Sequence, residues 1–441
     1  MLRGKDIVCI SSLDWGAMWT SKQQIMHRMA QTNRVLYVEE PVTMLAPFKV
    51  PARWRRWAAA APRVNRVDAG LWTLTPPPLL PFGNMKPGLN RANQGLLARY
   101  IRWAMNRLYF DEGYILWTYL PTSLALLDRL GAPAAGGAGR AVADDSGTAA
   151  SEAGALEPPA LEPPAASRSA PAPSGRRPSL VVYHCVDEHS AFPGFVSPEV
   201  VKGYDDELTR RADLVITTSE NLRRSRETLN PHTYTVLNAA DVEIFNRALD
   251  PALPLPEDLA AIPAPRIGVV GMHDSRLDLD ALEALARADP SWHIVLIGPV
   301  KSGQVDEARL GRQPNIHLLG EKPRSDLPAY LKGVAVGLVP YKANELTRNI
   351  FPLKLFEYLA AGVPVVVGGL PELGRFAGTI GVAEGPQDYA ALVRAALAED
   401  GPQKRAARVA LAAENTWEQR VEEISSLVEQ ALIRSGRTVE T

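Results

Sequence analysis

The sequence predicts an α/β protein built as two Rossmann-like, doubly wound domains facing a central cleft, with a disordered insertion in the first. Three observations carry this expectation. The chain has 441 residues and is 46% hydrophobic, too long for one ordinary core and suited to two. Short apolar runs alternate with helical patterns in both halves, as in parallel sheets covered on both faces. A proline-rich stretch at 251–265 separates the two series and reads as an interdomain linker.

In the first half, 1–250, strands are expected near 7–10, 35–38, 71–74, 114–117, 180–183, 214–217 and 233–236. Helical patterns fall at 21–31, 91–108, 122–130, 198–211 and 221–229. The insertion, about 132–178, is rich in Ala, Pro, Ser and Gly, lacks aromatics and repeats Leu-Glu-Pro-Pro from Leu156 and Leu161. Such a segment buries too little apolar surface to offset its ordering entropy. In the second half, 266–415, strands are expected near 267–270, 293–297, 316–318, 334–339 and 363–367, with helices near 279–288, 326–331, 353–361 and 388–398. A final amphipathic helix, 416–435, has apolar residues at three- and four-residue spacing from Trp417 to Leu432, with Thr416 as its N-cap.

Composition narrows the function classes. Forty-eight basic and 49 acidic residues give a formal net charge of -1, which offers no global attraction to nucleic acid. Cys9 and Cys185 are the two cysteines, in strand-like runs with no histidine cluster nearby. They make neither a disulfide framework nor a structural zinc site. No apolar run approaches the ~18 residues of a membrane span, and the first apolar run, ending at Ser11, is too short for a signal segment. A cytoplasmic enzyme is expected. The stretch 48–66 interleaves Lys49, Arg53, Arg55, Arg56, Arg63 and Arg66 with Trp54 and Trp57. It suits either peripheral contact with an anionic inner membrane face or a solvated loop.

The most informative segment runs from Asn349 to Val367. Pro352 suits a helix start, Gly362 its end, and Pro364 enters an apolar strand. Glu357, one turn in, can accept hydrogen bonds from a ribose diol, and Lys354 can offset diphosphate charge. Equally, the two could form a surface ion pair at i and i+3. Upstream, the first strand of the second half ends at Gly271, with Arg276 the nearest fixed cation. In the first half, Asp187, Glu188 and His189 follow an apolar strand that contains His184, where ligands of such sheets bind. Trp15, Trp19 and Lys22 follow the first strand, and both tryptophans suit sugar stacking or core packing.

The Glu357 segment resembles the donor-binding signature of retaining GT-B glycosyltransferases of the family-4 type (glycosyl transferases group 1): Glu357, Ala360, Gly362, Pro364, Val365 and Val366 match a Glu-x-x-Ala-x-Gly-x-Pro-Val-Val run. The family's first glutamate falls on Asn349, a departure. Ala212-Asp213-Leu214-Val215 to Ser219, and Asn238 to Phe245, are also similar to family segments. The run Tyr183 to Phe192 is similar to the teichuronic acid biosynthesis subgroup.

The resemblance implies a nucleotide-sugar donor held by Gly271, Arg276, Asn349, Lys354 and Glu357, with ribose on Glu357. It implies a glycan or lipid-linked acceptor from the cell envelope, retention of configuration, and a tail helix that crosses back to the first domain. No metal or other cofactor is expected. Asp187 and His184 are the candidate catalytic residues, and Trp15, Trp19, Glu188 and His189 the candidate acceptor-binding ones. Two other readings stay open: a GT-B sugar-nucleotide epimerase, and an inactive GT-B scaffold suggested by Asn349. A metal-dependent GT-A reading of Asp278-Leu279-Asp280 is disfavoured, because the pair opens an amphipathic helix where aspartates cap.

Overall fold

The computed structural model describes residues 1–16, 19–45, 62–83, 85–111, 113–131, 177–192 and 197–436. The basic residues from Lys49 to Trp57 and nearly all of the 132–178 insertion lie outside these. Eight strands form the first sheet: β1 (Asp6–Ile10), β2 (Arg34–Val38), β3 (Arg63–Asp68), β4 (Leu71–Thr75), β5 (Ile115–Thr118), β6 (Leu180–Cys185), β7 (Leu214–Thr217) and β8 (Thr233–Thr235). Their order is β3-β4-β2-β1-β5-β6-β7-β8. All neighbours are parallel except β3 and β4.

The second sheet holds β9 (Arg266–Val270), β10 (His293–Ile297), β11 (Ile316–Gly320), β12 (Val336–Pro340), β13 (Val365–Gly368) and β14 (Gly381–Ala383). Its order is β11-β10-β9-β12-β13-β14, parallel throughout. Helices cover both faces because the strands are apolar on both sides: β1 and β7 are buried at every position. Each fully buried Leu, Val, Ile or Phe in these strands contributes about 1.5–3 kcal/mol. Cys9 and Cys185 are free and buried here, and burial raises both thiol pKa values. They act as small apolar groups.

Three features differ from the sequence expectation. Residues 63–68, read as the end of a basic loop, form the antiparallel edge strand β3: Val64 packs inward while Arg63 and Arg66 stay exposed, and charge blunts the open edge. The 251–265 stretch is strapped to the second domain instead of hanging free. It contains a helical turn at Glu257–Ala260, its Leu259 and Ile262 join the second core, and Asp258 accepts hydrogen bonds from Lys322 and Tyr330. A polar, Ala-rich helix at Pro402–Ala413 precedes the tail.

The tail helix, Trp417–Arg434, starts at Thr416, whose side chain accepts from Gln419 N. Its buried face, Trp417, Val421, Ile424, Val428, Ala431 and Leu432, packs into the core that β1 and β5 build. Further contacts join the halves. Asn238 Nδ2 donates to Phe351 O at 2.6 Å. The buried Glu372 carboxylate accepts from Glu220 N (3.1 Å) and Asn221 N (2.7 Å), capping the Glu220–Glu227 helix from across the domain boundary.

Candidate functional site

Both sheets reverse strand order beside their first strand, β1 or β9, and such switch points open crevices at the strands' carboxyl ends. In the second domain the buried Tyr358 ring lies between the ends of β9 and β12, its hydroxyl bonded to the backbone of both. The β9–β12 ladder stops at the Leu338–Val269 pair, so Val270 N donates instead to the Tyr358 hydroxyl (2.8 Å), which in turn donates to Gly268 O (3.0 Å). Gly337 makes room for the ring, since a Cβ there would lie 2.6 Å from it. The same short helix, Lys354–Ala360, carries Glu357 one residue earlier and turns it to the opening.

That opening is a cleft of about 220 Å³. Gly16 and Trp19 of the first domain face Val270, Gly271, Gly298, Arg324, Lys354 and Glu357 of the second. Gly271 and Gly298 have φ of +130° and +144°, a region glycine alone enters freely. A Cβ on Gly298 would meet Gly271 O at 1.9 Å, and one on Gly271 would crowd Lys354 Cε at 3.2 Å. Bare backbone therefore lines the floor, leaving room for a ligand to approach closely.

Lys354 and Glu357 are ion-paired across this floor, both largely buried. The two readings left open by the sequence thus coincide: the pair exists, and it lines the cleft. Without a ligand each group satisfies the other.

Arg276 and Asn349 are placed differently. Arg276 forks onto Asp274 (Nε–Oδ1 2.8 Å, Nη2–Oδ2 2.7 Å) and lies 5.2 Å over the Tyr341 ring; it is not among the cleft-lining residues. Asn349 ends the Glu345–Arg348 helix and donates its amide to Glu345 O (2.8 Å), also away from the lining. A cation the sequence reading missed is Arg324. It follows β11, stacks 5.6 Å from the Trp19 ring and pairs with Asp241 at 3.1 Å, bridging the domains. Its place after a strand's carboxyl end was the available signal.

On the first-domain wall, the tryptophans divide. Trp19 lines the cleft, whereas Trp15 packs edge-on against Tyr37 at 5.0 Å as part of the core. Glu188 turns inward: it accepts from Arg226 Nη1 (2.7 Å) and Ser190 Oγ (2.7 Å). Arg226 also pairs with the buried Asp205, which accepts from the Tyr183 hydroxyl. Burial would raise the Glu188 pKa, but Arg226 outweighs it and the value falls. Glu188 therefore anchors its loop.

Asp187 sits between the domains. Its charge acts on Lys22 and His189 of the first domain and on Arg276 of the second. His184 is buried with both ring nitrogens unpartnered, and burial, helped by Lys22, lowers its pKa to about 3. Burial lowers His189 to about 4 despite Asp187. Both rings are neutral at pH 7, able to share hydrogen bonds but carrying no charge.

Among the described residues no group of three or more His, Cys, Asp or Glu is spaced to hold a metal ion. Asp278 caps its helix by accepting from Ala281 N (3.1 Å), and Asp280 pairs with Arg309. No helix of the described residues is long and apolar enough to cross a membrane.

Comparison with known proteins accords with this geometry. Residues 264–399 match the family described as Glycosyl transferases group 1. Over 182 residues the chain is 29% identical to the Bacillus subtilis (strain 168) protein that bears the name teichuronic acid biosynthesis glycosyltransferase TuaH. That match covers 40% of this chain and 45% of the relative, so it spans less than half of either. Among solved structures, sucrose-phosphate synthase from Thermosynechococcus elongatus superposes with TM-score 0.65 at 14% identity, covering 98% of this chain and 100% of that one. The E. coli trehalose-6-phosphate structure bound with UDP-2-fluoro glucose gives 0.64 at 14% identity, covering 96% and 98%. Anabaena HepE in complex with UDP and glucose gives 0.60 at 14% identity, covering 97% and 100%. At such identities the likeness establishes the fold, GT-B. The resemblance to group 1 glycosyltransferases read from Glu357 is borne out over 264–399, and the match to a relative named for teichuronic acid biosynthesis accords with the subgroup likeness.

Proposed function

We propose that this GT-B chain, whose second domain matches glycosyl transferases group 1, is a hexosyltransferase. It moves a sugar from a UDP-sugar donor to a cell-envelope glycan or lipid-linked acceptor, with retention. One observation carries the reading: the Lys354–Glu357 pair opens onto the interdomain cleft over a floor of bare glycine backbone. UDP as the nucleotide is suggested by the UDP-bound neighbours, and the envelope acceptor by the teichuronic acid relative.

In this reading the ribose diol donates to Glu357, which releases Lys354 to the diphosphate. Each charge-assisted hydrogen bond contributes about 1.5–3 kcal/mol. Lys354 also stabilises the charge that develops on the departing nucleotide. Arg324 and Trp19 close the cleft from opposite domains. Neutral His184 and His189 orient hydroxyls, and Asp187 faces the acceptor. A donor phosphate oxygen takes the acceptor proton, so transfer on the same face needs no separate base. Arg63 and Arg66, exposed on the edge strand, continue the basic sequence that would bring the enzyme to the inner membrane face. Charge reversal at both should reduce binding to anionic liposomes.

The test is a panel of UDP-, GDP- and dTDP-sugars, read by thermal shift and then by product analysis. Ligands that bind the native state raise its apparent stability. Stabilisation by a UDP-sugar and transfer to an acceptor support the proposal. Conversion of the donor to an isomer without an acceptor points to an epimerase and overturns it.

A further inference from the structure

The first-domain wall gathers polar atoms that no described residue satisfies. Lys22 sits in the first turn of the Ser21–Met29 helix, after β1, and is only 7% exposed. Its ammonium lies 5.6 Å over the Tyr119 ring, and the charges of Asp187 and Glu40 act on it. The Tyr119 hydroxyl just past β5, both His184 nitrogens in β6 and His189 Nε2 beyond β6 are buried and unpartnered. Tyr119 and His184 stack at 4.9 Å. Strands β1, β5 and β6 are neighbours, so these groups cluster at the carboxyl end of the sheet, with Lys22 three residues along the chain from cleft-lining Trp19.

Buried polar groups without hydrogen bonds are few in native proteins. Several in one place mark a site whose partners arrive with a ligand. With both imidazoles neutral, the charged groups here are the Lys22 ammonium and the two carboxylates, Asp187 and Glu40, that act on it. Asp187 can accept from a hydroxyl, whereas Lys22 calls for an oxyanion.

Building on the transferase reading, we propose that the acceptor is an anionic sugar. Its phosphate or carboxylate seats on Lys22, hydrogen-bonded by Tyr119 and the two histidines, and its reacting hydroxyl turns toward Asp187. The acceptor would then be the product of a preceding step that attaches a phosphate or a uronic acid.

Lys22→Met in the full chain tests this. Thermal shift is measured for both proteins with glucose 1-phosphate, glucuronate and glucose, each with and without saturating UDP. The expected result is stabilisation of the wild type by glucose 1-phosphate or by glucuronate, but not by glucose. The variant should lose at least tenfold in that anion's affinity. The stronger anion names the source of the charge. No anion response in the wild type, or an equal response in the variant, overturns the proposal. A tenfold loss of UDP affinity in the variant would instead assign Lys22 to the donor phosphates and also overturn it. Should UDP fail to bind the wild type, the donor reading falls, while the arms without UDP still decide the anion.

Discussion

The two walls of the cleft are built on opposite principles. On the second-domain wall charges come in pairs, Lys354 with Glu357 and Lys322 with Asp258, and Arg276 is paired with Asp274 outside the lining. Its floor is glycine backbone. On the first-domain wall Tyr119, His184 and His189 are buried without partners beside the Lys22 ammonium, while the charged network of Arg226, Glu188 and Asp205 lies behind them and holds the loop. A wall of prepaired charges is stable empty and exchanges one partner for a ligand. A wall of orphaned groups is stabilised only when occupied, so it should be the more selective of the two: an ill-matched ligand leaves buried groups unsatisfied.

The largest expected effect lies behind the first wall. Arg226→Met leaves the Asp205 carboxylate buried without its partner. It should destabilise the protein by about 3–5 kcal/mol, seen as a lower chemical-denaturation midpoint at unchanged slope. A loss under about 1 kcal/mol would mean that the network does not hold the wall.

Next comes Glu357→Gln on the second wall. It should cut kcat/KM at least about 100-fold, near 2.7 kcal/mol, with little change in melting temperature because both side chains touch the cleft. Near-normal kinetics would erase the contrast drawn here.

Acid should expose the orphaned rings. Folded His184 has a pKa of about 3 and folded His273 about 4, both lowered mainly by burial, against about 6.5 unfolded. Below pH 6.5 the unfolded chain binds protons that the folded chain refuses. Their contribution is therefore full above pH 6.5 and is lost as pH falls toward 4, at about 1 kcal/mol per pH unit for each ring. His184→Asn should flatten that acid limb, and an unchanged slope would place the ring in water.

The smallest expected effect is at Arg276. With its guanidinium committed to Asp274, Arg276→Ala should change the donor KM by less than about threefold. A tenfold rise would show that the fork opens to take the diphosphate.

Periodicity and strand-end logic made much of the architecture legible. The apolar runs at Leu214–Thr217 and His293–Ile297, and the amphipathic Leu279–Ala288, stand where the pattern put them. Strand β3 was hidden because its alternation is carried by Arg and Asn around Val64, which reads as a charged loop until β4 is beside it. The packing of 251–265 was hidden because prolines signal a tether, while Leu259 and Ile262 are too few to show a core face.

At the site, Glu357 and Lys354 were legible because a local motif carries them. Glu188 was read as facing a ligand because its partner, Arg226, lies 38 residues away. Arg324 and Trp19 meet only in three dimensions. Contact across elements leaves no spacing in a sequence, so the commitment of Arg276 to Asp274 and the place of Lys22 over Tyr119 could be seen only in the fold.

The most direct measurement is a crystal structure of the full chain soaked with UDP. The ribose diol should donate to the Glu357 carboxylate, with the Lys354 ammonium moved onto the phosphates above Gly271 and Gly298. UDP bound elsewhere, or ribose in this cleft with the Lys354–Glu357 pair still closed, would contradict the assignment.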